Sequence, residues 1–205
     1  MQLRHALIMA GGRGMRMMPL TDIIPKAMAP FDGSTLIARR IEKLKETIPN
    51  IHITVGYMGA ILAKHVIEHK VSSIFNTDGK DNSWWIFNTL LKELNEPIVV
   101  LTCDNLVELN FVQIENDYIK MGSPACMVVP VKPIEGLEGD FIFHKENKVI
   151  ELTREKIGNI YCSGIQILNP NKINSMLSPC DNFYELWQGL IKKGQLFCSN
   201  IYPEK

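Results

Sequence analysis

The chain has 205 residues, of which 46% are hydrophobic and 21% are charged, and its 22 basic side chains balance its 22 acidic ones. This length and composition predict one globular domain with its own core. A net charge of zero offers no general basic field, which argues against binding of nucleic acid or an anionic membrane, and the apolar run near the N-terminus is too short for a signal peptide or a membrane span.

Strand-like and helix-like segments alternate over the first two-thirds of the chain. The predicted strands lie at 5–10, 51–55, 72–75, 97–102 and 125–131, and the predicted helices at 34–48, 60–69, 84–95 and 111–121. Asp32 or Ser34 would cap the first of these helices, and Asn82 or Ser83 the third. The alternation predicts an α/β fold of three layers (αβα, Rossmann-like) with a mainly parallel central sheet and helices on both faces.

The pattern changes at Gly136. Short strands are predicted at 140–144, 147–153 and 160–168, followed by helices at 170–177 and 182–193 and a last strand near 195–201. No linker rich in Gly, Ser or Pro separates the two parts. We therefore expect a single domain, 1–205, made of two lobes, 1–135 and 136–205, the second of which covers the carboxyl edge of the sheet.

A glycine-rich loop follows the first predicted strand, within the stretch LIMAGGRGMRMMPLTDIIPKAMAP at residues 7–30. Glycines after a strand allow backbone N–H groups to approach an anion, and Arg16 and Lys26 add two cations. The loop is neither a dinucleotide-binding loop, since Met17 stands where a third glycine is needed, nor a P-loop, since no Gly-Lys-Ser/Thr follows. The stretch predicts a binding loop for a triphosphate.

The segment AGGRGMRMMPLTDIIPKAMAP resembles the signature A-G-G-x-G-T/S-R-L-x-P-L-T-x-x-x-P-K-x-x-x-P of the sugar-phosphate nucleotidyltransferases. The resemblance implies the nucleotide-diphospho-sugar transferase fold, with a nucleotide-binding lobe at 1–135 and a sugar-binding lobe at 136–205. It also implies an enzyme that joins a sugar 1-phosphate to a nucleoside triphosphate, giving an NDP-sugar and pyrophosphate. The residues implied in nucleotide binding are Ala10, Gly11, Gly12, Gly14 and Met15, the last in place of the usual hydroxyl residue.

Nucleotidyl transfer needs positive charge more than a base, because the attacking phosphate is already an anion and charge builds on the departing pyrophosphate. Arg16 is suited to the β- and γ-phosphates, and Lys26 to the α-phosphate and the attacking phosphate. Asp104 directly follows a buried strand and matches the family's Mg²⁺-binding aspartate, so Mg²⁺ is the expected cofactor. Arg13 is expected to be peripheral.

A second match lies in the stretch 149–168, where the family binds the sugar phosphate. Asn159 and Gly164 fall in place, whereas Glu155 and Lys156 come one residue late for the family's Glu-Lys pair, and Gln166 replaces a usual tyrosine. The resemblance implies sugar or acceptor binding by Glu155, Lys156, Asn159 and Gly164. An exposed turn is the alternative for the Glu-Lys pair.

The segment 81–86 departs most from the family. Asn82 and Ser83 are candidates for binding the base or ribose, although helix capping explains them equally well. Trp84 and Trp85 project about 100° apart on a helix, so one can face the core and the other the cleft. This aromatic, asparagine-containing helix start resembles the choline-phosphate cytidylyltransferase branch of the family.

Alternatives to a sugar 1-phosphate transferase therefore stay open. One is a CTP-dependent transferase acting on a phosphorylated alcohol such as phosphocholine, and another is a catalytically inactive regulatory or binding domain of the same fold. The family has a second metal-binding aspartate that has no counterpart in this sequence, and its absence suggests the inactive form. For the same reason we expect the 205-residue chain to be incomplete for full activity. The expected partners are a nucleoside triphosphate and a sugar 1-phosphate, with a homo-oligomer left open.

The cysteines and histidines give no sign of a metal site or a disulfide framework. The five cysteines are dispersed and odd in number, without a C-x-x-C pair, and the five histidines lack a metal-ligand spacing. This usage is typical of reduced thiols and predicts a cytoplasmic protein.

Overall fold

The computed structural model describes residues 3–104, 108–134, 136 and 139–203. In chain order its elements are β1 (His5–Ala10), β2 (Pro30–Phe31), β3 (Ser34–Thr35), α1 (Leu36–Lys45), β4 (Asn50–Val55), α2 (Gly59–Glu68), β5 (Ser73–Asn76), α3 (Trp84–Asn88), β6 (Ile98–Thr102), α4 (Phe111–Lys120), β7 (Cys126–Val131), β8 (Phe141–Lys145), β9 (Lys148–Thr153), β10 (Tyr161–Leu168), α5 (Pro170–Met176), α6 (Phe183–Lys193) and β11 (Leu196–Cys198). Short 3₁₀ turns lie at Met15–Met17, Leu20–Asp22, Lys26–Met28 and Leu90–Glu93. No helix among these described residues is long and apolar enough to cross a membrane.

The described strands form one nine-stranded sheet in the order β5-β4-β1-β6-β10-β7-β11-β9-β8, and a separate two-stranded hairpin of β2 and β3. The strands β9 and β10 run opposite to the other strands of the large sheet. At the centre of its parallel part, Ala6 of β1 is paired with Ile51 of β4 on one side and Val99 of β6 on the other. The predicted α/β class with a mainly parallel sheet is confirmed.

The two faces of the sheet bury two separate apolar clusters, because neighbouring residues of a strand point to opposite faces. Ala6 and Ile8 pack in the cluster that includes side chains of α1, α2 and α4. Leu7 lies in the other cluster, with side chains of α3, α5 and α6. Helices thus cover both faces, which confirms the expected three layers.

The first helix begins later than predicted, because its predicted first turn belongs to a hairpin. Pro30–Phe31 and Ser34–Thr35 pair around a turn in which Asp32 and Gly33 both have positive φ, 46° and 73°. The Oγ1 atom of Thr35 accepts a hydrogen bond from the Ala38 N–H at 3.2 Å and so caps α1. The prediction that Ser34 or Asp32 provides this cap was wrong.

The predicted helix 84–95 divides into α3 and a 3₁₀ turn at Thr89, whose backbone is extended with φ −115° and ψ 173°. The hydroxyl of Thr89 accepts from the Leu91 N–H at 3.2 Å and starts the second piece. Neither Asn82 nor Ser83 caps α3, because both side chains bond to residues near the start of α6 instead. The capping prediction for these two residues was also wrong.

Strands from both expected lobes lie in the one sheet. The strand β10, from the second lobe, lies between β6 and β7 of the first, and β11 pairs with β7. The expected lobe boundary at residue 135 lies outside the described residues. The division into a nucleotide lobe and a sugar lobe stays a prediction.

Candidate active site

The loop after β1 packs closely against the loop after β4. The carbonyl of Gly11 accepts from the Tyr57 N–H at 3.0 Å, and a Cβ on Gly56 would come within 2.6 Å of that same carbonyl oxygen. Glycine at 56 is therefore needed for the close approach of the two backbones. Ala10 is buried at the end of β1, whereas Gly12 is exposed and has open space around its Cα.

The chain then folds back so that Lys26 lies against Gly14. Gly14 has a φ of +70°, and a Cβ there would come within 2.8 Å of the Lys26 Cβ. The hydroxyl of Thr21 donates to the Gly14 carbonyl at 3.1 Å and holds the intervening turns in place. Local hydrogen bonding thus places the lysine beside the glycine loop.

Lys26 and Asp104 form an ion pair at the carboxyl edge of the sheet. The Lys26 Nζ lies 2.5 Å from the Asp104 Oδ2, and the two side chains are 21% and 42% exposed. The Cys103 N–H donates to the Met9 carbonyl at 3.1 Å, which brings the ends of β1 and β6 together. Two charges 78 residues apart in sequence are thereby placed at one point.

The ion pair keeps the carboxyl group ionised. Partial burial acts to raise the pKa of Asp104, but the hydrogen bond and charge of Lys26, with a further hydrogen bond from Thr102, outweigh it and lower the pKa below 3.8. The same neighbourhood affects Cys103, since burial and then the charge of Asp104 raise the pKa of its thiol to about 11. Asp104 is therefore an anionic oxygen ligand, and Cys103 stays a neutral thiol.

Arg16 extends this group of charges. It is exposed and makes no ion pair with any residue that the structure describes. Together with Lys26 and Asp104 it lines an open hollow of about 570 Å³, the loop hollow, whose other lining residues are Gly14, Met15 and Met17. Arg13 is placed apart, 3.9 Å from Asp22 and over the ring of Tyr57 at 5.2 Å.

Lys26 and Asp104 also line a neighbouring cleft of about 500 Å³, called here the first cleft. The other residues that line it are Met9, Gly11, Gly12, Thr54, Thr77, Lys80, Asp81, Asn82, Trp85, Thr102, Cys103 and Asn182. Asn82 is exposed there, and its Oδ1 accepts from the Phe183 N–H at 2.9 Å. Ser83 is fully buried and does not line the cleft, and its hydroxyl donates to the Cys180 carbonyl at 3.1 Å.

The two adjacent tryptophans differ in their surroundings. Trp85 is 1% exposed, belongs to the core and also lines the first cleft. Trp84 is half-buried, with the Lys80 Nζ 5.6 Å from the centre of its ring. We predicted that one tryptophan faces the core and the other the cleft, whereas Trp85 alone does both.

A second cleft of about 570 Å³ adjoins the first and shares Met9, Asn82, Thr102 and Asn182 with it. Its remaining lining residues are Asp140, Thr153, Arg154, Glu155, Gly164, Gln166, Phe183, Tyr184 and Trp187. Glu155 and Gly164, two of the four predicted acceptor-binding residues, thus line this cleft. Lys156 and Asn159 are exposed outside its wall, and Lys156 instead pairs with Glu151 at 3.2 Å.

The structure adds residues to this cleft that the motif did not indicate. Asp140 and Arg154 form a two-point ion pair, with 2.7 Å from Nε to Oδ1 and 3.2 Å from Nη2 to Oδ2. Asn182 caps α6 and borders both clefts. Arg154 belonged to the predicted Arg-Glu-Lys turn, but its pairing with Asp140 is a long-range contact that the motif could not show.

Asp104 fits a magnesium ion that also binds phosphate. It offers a partly exposed, ionised carboxylate beside the glycine loop, and Mg²⁺ usually takes one or two carboxylates with phosphate oxygens and water. The described residues contain no group of three or more His, Cys, Asp or Glu side chains that could hold a metal ion by themselves. The donor set thus suits a metal bound together with a nucleotide.

The chain is similar in sequence to known proteins. The family model for nucleotidyl transferases matches residues 5–156. The chain is 28% identical over 207 residues to a mannose-1-phosphate guanyltransferase of Aspergillus oryzae, covering 93% of this chain and 57% of that protein. The chain therefore spans little more than half the length of the curated relatives it matches.

Two solved structures show the same fold. A putative glucose-1-phosphate thymidylyltransferase from Bacillus anthracis superposes with a TM-score of 0.76 at 19% identity, covering 98% of this chain and 87% of that one. A CTP:phosphocholine cytidylyltransferase from Streptococcus pneumoniae superposes with a TM-score of 0.74 at 22% identity, covering 97% and 90%. At these identities the likeness concerns the fold alone.

Proposed function

The chain belongs to the nucleotidyl transferase family, and from that premise we propose that it transfers a nucleotidyl group from a nucleoside triphosphate to a sugar 1-phosphate, with release of pyrophosphate. The observation that carries the proposal is the meeting of Lys26 and Asp104 beside the glycine loop, with Arg16 in the same hollow. Two cations, an anionic metal ligand and open backbone are the groups that this reaction needs.

The first cleft and the loop hollow form the proposed nucleotide site. The backbone from Gly11 to Gly14 binds phosphates through its N–H groups, with Met15 next to them. Arg16 contacts the β- and γ-phosphates and stabilises the departing pyrophosphate, which gains charge as the bond breaks. Asn82, at the border of the two clefts, contacts the base or the ribose.

Lys26 is the proposed contact between the two substrates. Lys26 lines both the first cleft and the loop hollow, and the α-phosphate and the attacking phosphate would meet beside it. A compact ammonium group lowers the repulsion between two anions and holds them in line. Asp104 would hold Mg²⁺ there, and the bound ion would supply additional positive charge to the phosphate oxygens.

The second cleft is the proposed acceptor site. It adjoins the first cleft through four shared residues and includes Glu155 and Gly164. Similar proteins of Aspergillus oryzae and Saccharomyces cerevisiae are named for mannose 1-phosphate, which supports a sugar 1-phosphate as the class of acceptor. We place the protein in the cytoplasm, which is supported by five free cysteines, three of them buried.

A pyrophosphate-release assay tests the proposed function. The common nucleoside triphosphates are each combined with hexose 1-phosphates and Mg²⁺, after a thermal-shift screen identifies which nucleotides bind. The expected result is NDP-sugar and pyrophosphate in equal amounts from one nucleotide. Stable nucleotide binding without transfer to any of these hexose 1-phosphates would contradict the proposal.

A further inference from the structure

One buried side-chain amide in the second cleft has only its oxygen engaged. Gln166 is 3% exposed and lines the cleft. Its Oε1 accepts from the Trp187 Nε1 at 3.0 Å and from the Cys126 Sγ at 3.3 Å. Its Nε2 makes no hydrogen bond to any residue that the structure describes.

The chemistry of the two partners fixes the orientation of this amide. An indole N–H can only donate, so the atom that faces Trp187 must be the amide oxygen. Burial raises the pKa of Cys126 well above 9.0, so that residue stays a thiol and donates as well. A flipped amide would place its NH₂ group against the indole N–H and the thiol, which are both donors. The NH₂ group is therefore directed away from Trp187 and Cys126.

The backbone of Gln166 is equally well determined. It lies on β10, paired with Val100 of β6 and Val128 of β7 in the interior of the sheet. Trp187, in turn, stacks on Phe183 with 5.7 Å between ring centres. The NH₂ group is therefore held by rigid elements at the wall of the cleft, where no described residue accepts a hydrogen bond from it.

We propose that the Nε2 of Gln166 donates a hydrogen bond to an oxygen of the acceptor substrate and thereby selects a polyhydroxylated phosphate ester over one with a quaternary ammonium group. This inference rests on the proposed function, in which the second cleft holds the acceptor. A quaternary ammonium group has no acceptor atom for an N–H donor. It would leave the amide unpaired and place like partial charges together.

The aromatic residues of the cleft agree with this selection. Recognition of quaternary ammonium groups uses open aromatic faces around the cation. Of the three aromatic side chains that line the cleft, Phe183 and Trp187 are 4% and 8% exposed and stacked on each other, and Tyr184 is 54% exposed. The cleft thus offers one open ring rather than several around a cation. Asp140, one of the carboxylates in the cleft, is paired with Arg154.

Two variants test the NH₂ group. Gln166→Glu keeps the shape of the side chain and an oxygen for Trp187 and Cys126, replaces the NH₂ donor by an oxygen and, when ionised, adds a negative charge to the cleft. The double variant Gln166→Met with Trp187→Phe removes the amide and its indole partner together, so that no buried donor is left without an acceptor. Melting temperatures of both variants show whether they fold, and Gln166→Glu alone is sufficient if the double variant does not.

Binding is measured by calorimetry on the 205-residue protein with hexose 1-phosphates, their monodeoxy analogues and phosphocholine. In the wild type we expect one monodeoxy analogue to bind about tenfold more weakly than its parent, as for the loss of one hydrogen bond. Gln166→Glu should weaken binding of the parent by at least this factor, because its carboxylate also repels the phosphate of the substrate. In the double variant, the parent and this analogue should bind equally, while nucleotide affinity stays that of the wild type.

Several results would overturn the inference. The first two are a wild type that binds every monodeoxy analogue as tightly as the parent, and variants that bind the parent as tightly as the wild type does. The other two are a wild type that binds phosphocholine more tightly than any hexose 1-phosphate, and a wild type that binds no acceptor at all. The proposed function fails separately. If Gln166 governs acceptor binding but no nucleotidyl transfer occurs, the inference stands and the proposed reaction does not.

Discussion

Replacement of Gly14 by alanine is expected to disrupt the active site through Lys26. An alanine at φ +70° costs about 1–2 kcal/mol, because its Cβ meets the following carbonyl. The new Cβ would also lie 2.8 Å from the Lys26 Cβ. Since a Cβ is fixed by its own backbone and cannot rotate away, one of the two chain segments must move, which adds about 1–3 kcal/mol.

Gly33→Ala is the matched control. Gly33 has nearly the same φ, +73°, but the nearest atom to its new Cβ is the Arg39 Nη2 at 3.9 Å, so only the backbone cost remains. Urea unfolding at neutral pH should show that Gly14→Ala loses about 1–3 kcal/mol more than Gly33→Ala. The same movement breaks the 2.5 Å contact of Lys26 with Asp104, so pyrophosphate release should fall in Gly14→Ala alone.

Equal losses of stability in these two variants, with undiminished pyrophosphate release in Gly14→Ala, would refute this reasoning. That outcome would mean that the loop adapts to the added methyl group without displacing Lys26.

Three further predictions concern charge. Arg16→Ala should lower kcat by about 100-fold, on the order of 3 kcal/mol, with little effect on nucleotide affinity, whereas Arg13→Ala should leave both near wild type; a change in KM alone would limit Arg16 to binding. Asp104→Asn, or excess EDTA with the wild type, should abolish turnover while the variant still melts cooperatively, and unchanged rates would exclude Asp104 as the metal ligand. Burial, and then the nearby His5, lower the pKa of His52 from 6.5 to about 4, so the unfolded chain takes up this proton first as the pH falls. Stability should therefore decrease from about pH 6.5 down to about pH 4, by about 3 kcal/mol, and His52→Gln should flatten this dependence in urea titrations.

The sequence predicted most of the fold because burial leaves a strong local pattern. The apolar runs that became β1 and β6 and the periodic segment that became α1 were recognised by hydrophobicity alone. The hairpin of β2 and β3 was missed, although Asp32-Gly33 is a typical turn for it, because each strand has only two residues.

The site was predictable only where it is local. The glycine loop with Arg16 and Lys26 lies within one stretch of sequence, and Asp104 could be placed by its position after a strand. Asn82 shows the limit. Its hydrogen bond to Phe183 spans 101 residues, and no local pattern distinguishes that partner from a helix cap.

The place of β10 between β6 and β7 also bears on synthesis of the chain. β6 and β7 leave the ribosome before β10, so the edges that pair with β10 stay open until the chain is made through Leu168, and the other edge of β7 stays open until β11 is complete at Cys198. Unpaired strand edges are sites where nascent proteins associate wrongly. The central strands of the sheet therefore cannot all pair until β10 has been made. About 37 residues, from Val131 to Leu168, separate the end of β7 from the end of β10, and we expect the nascent chain to depend on chaperones while they are synthesised.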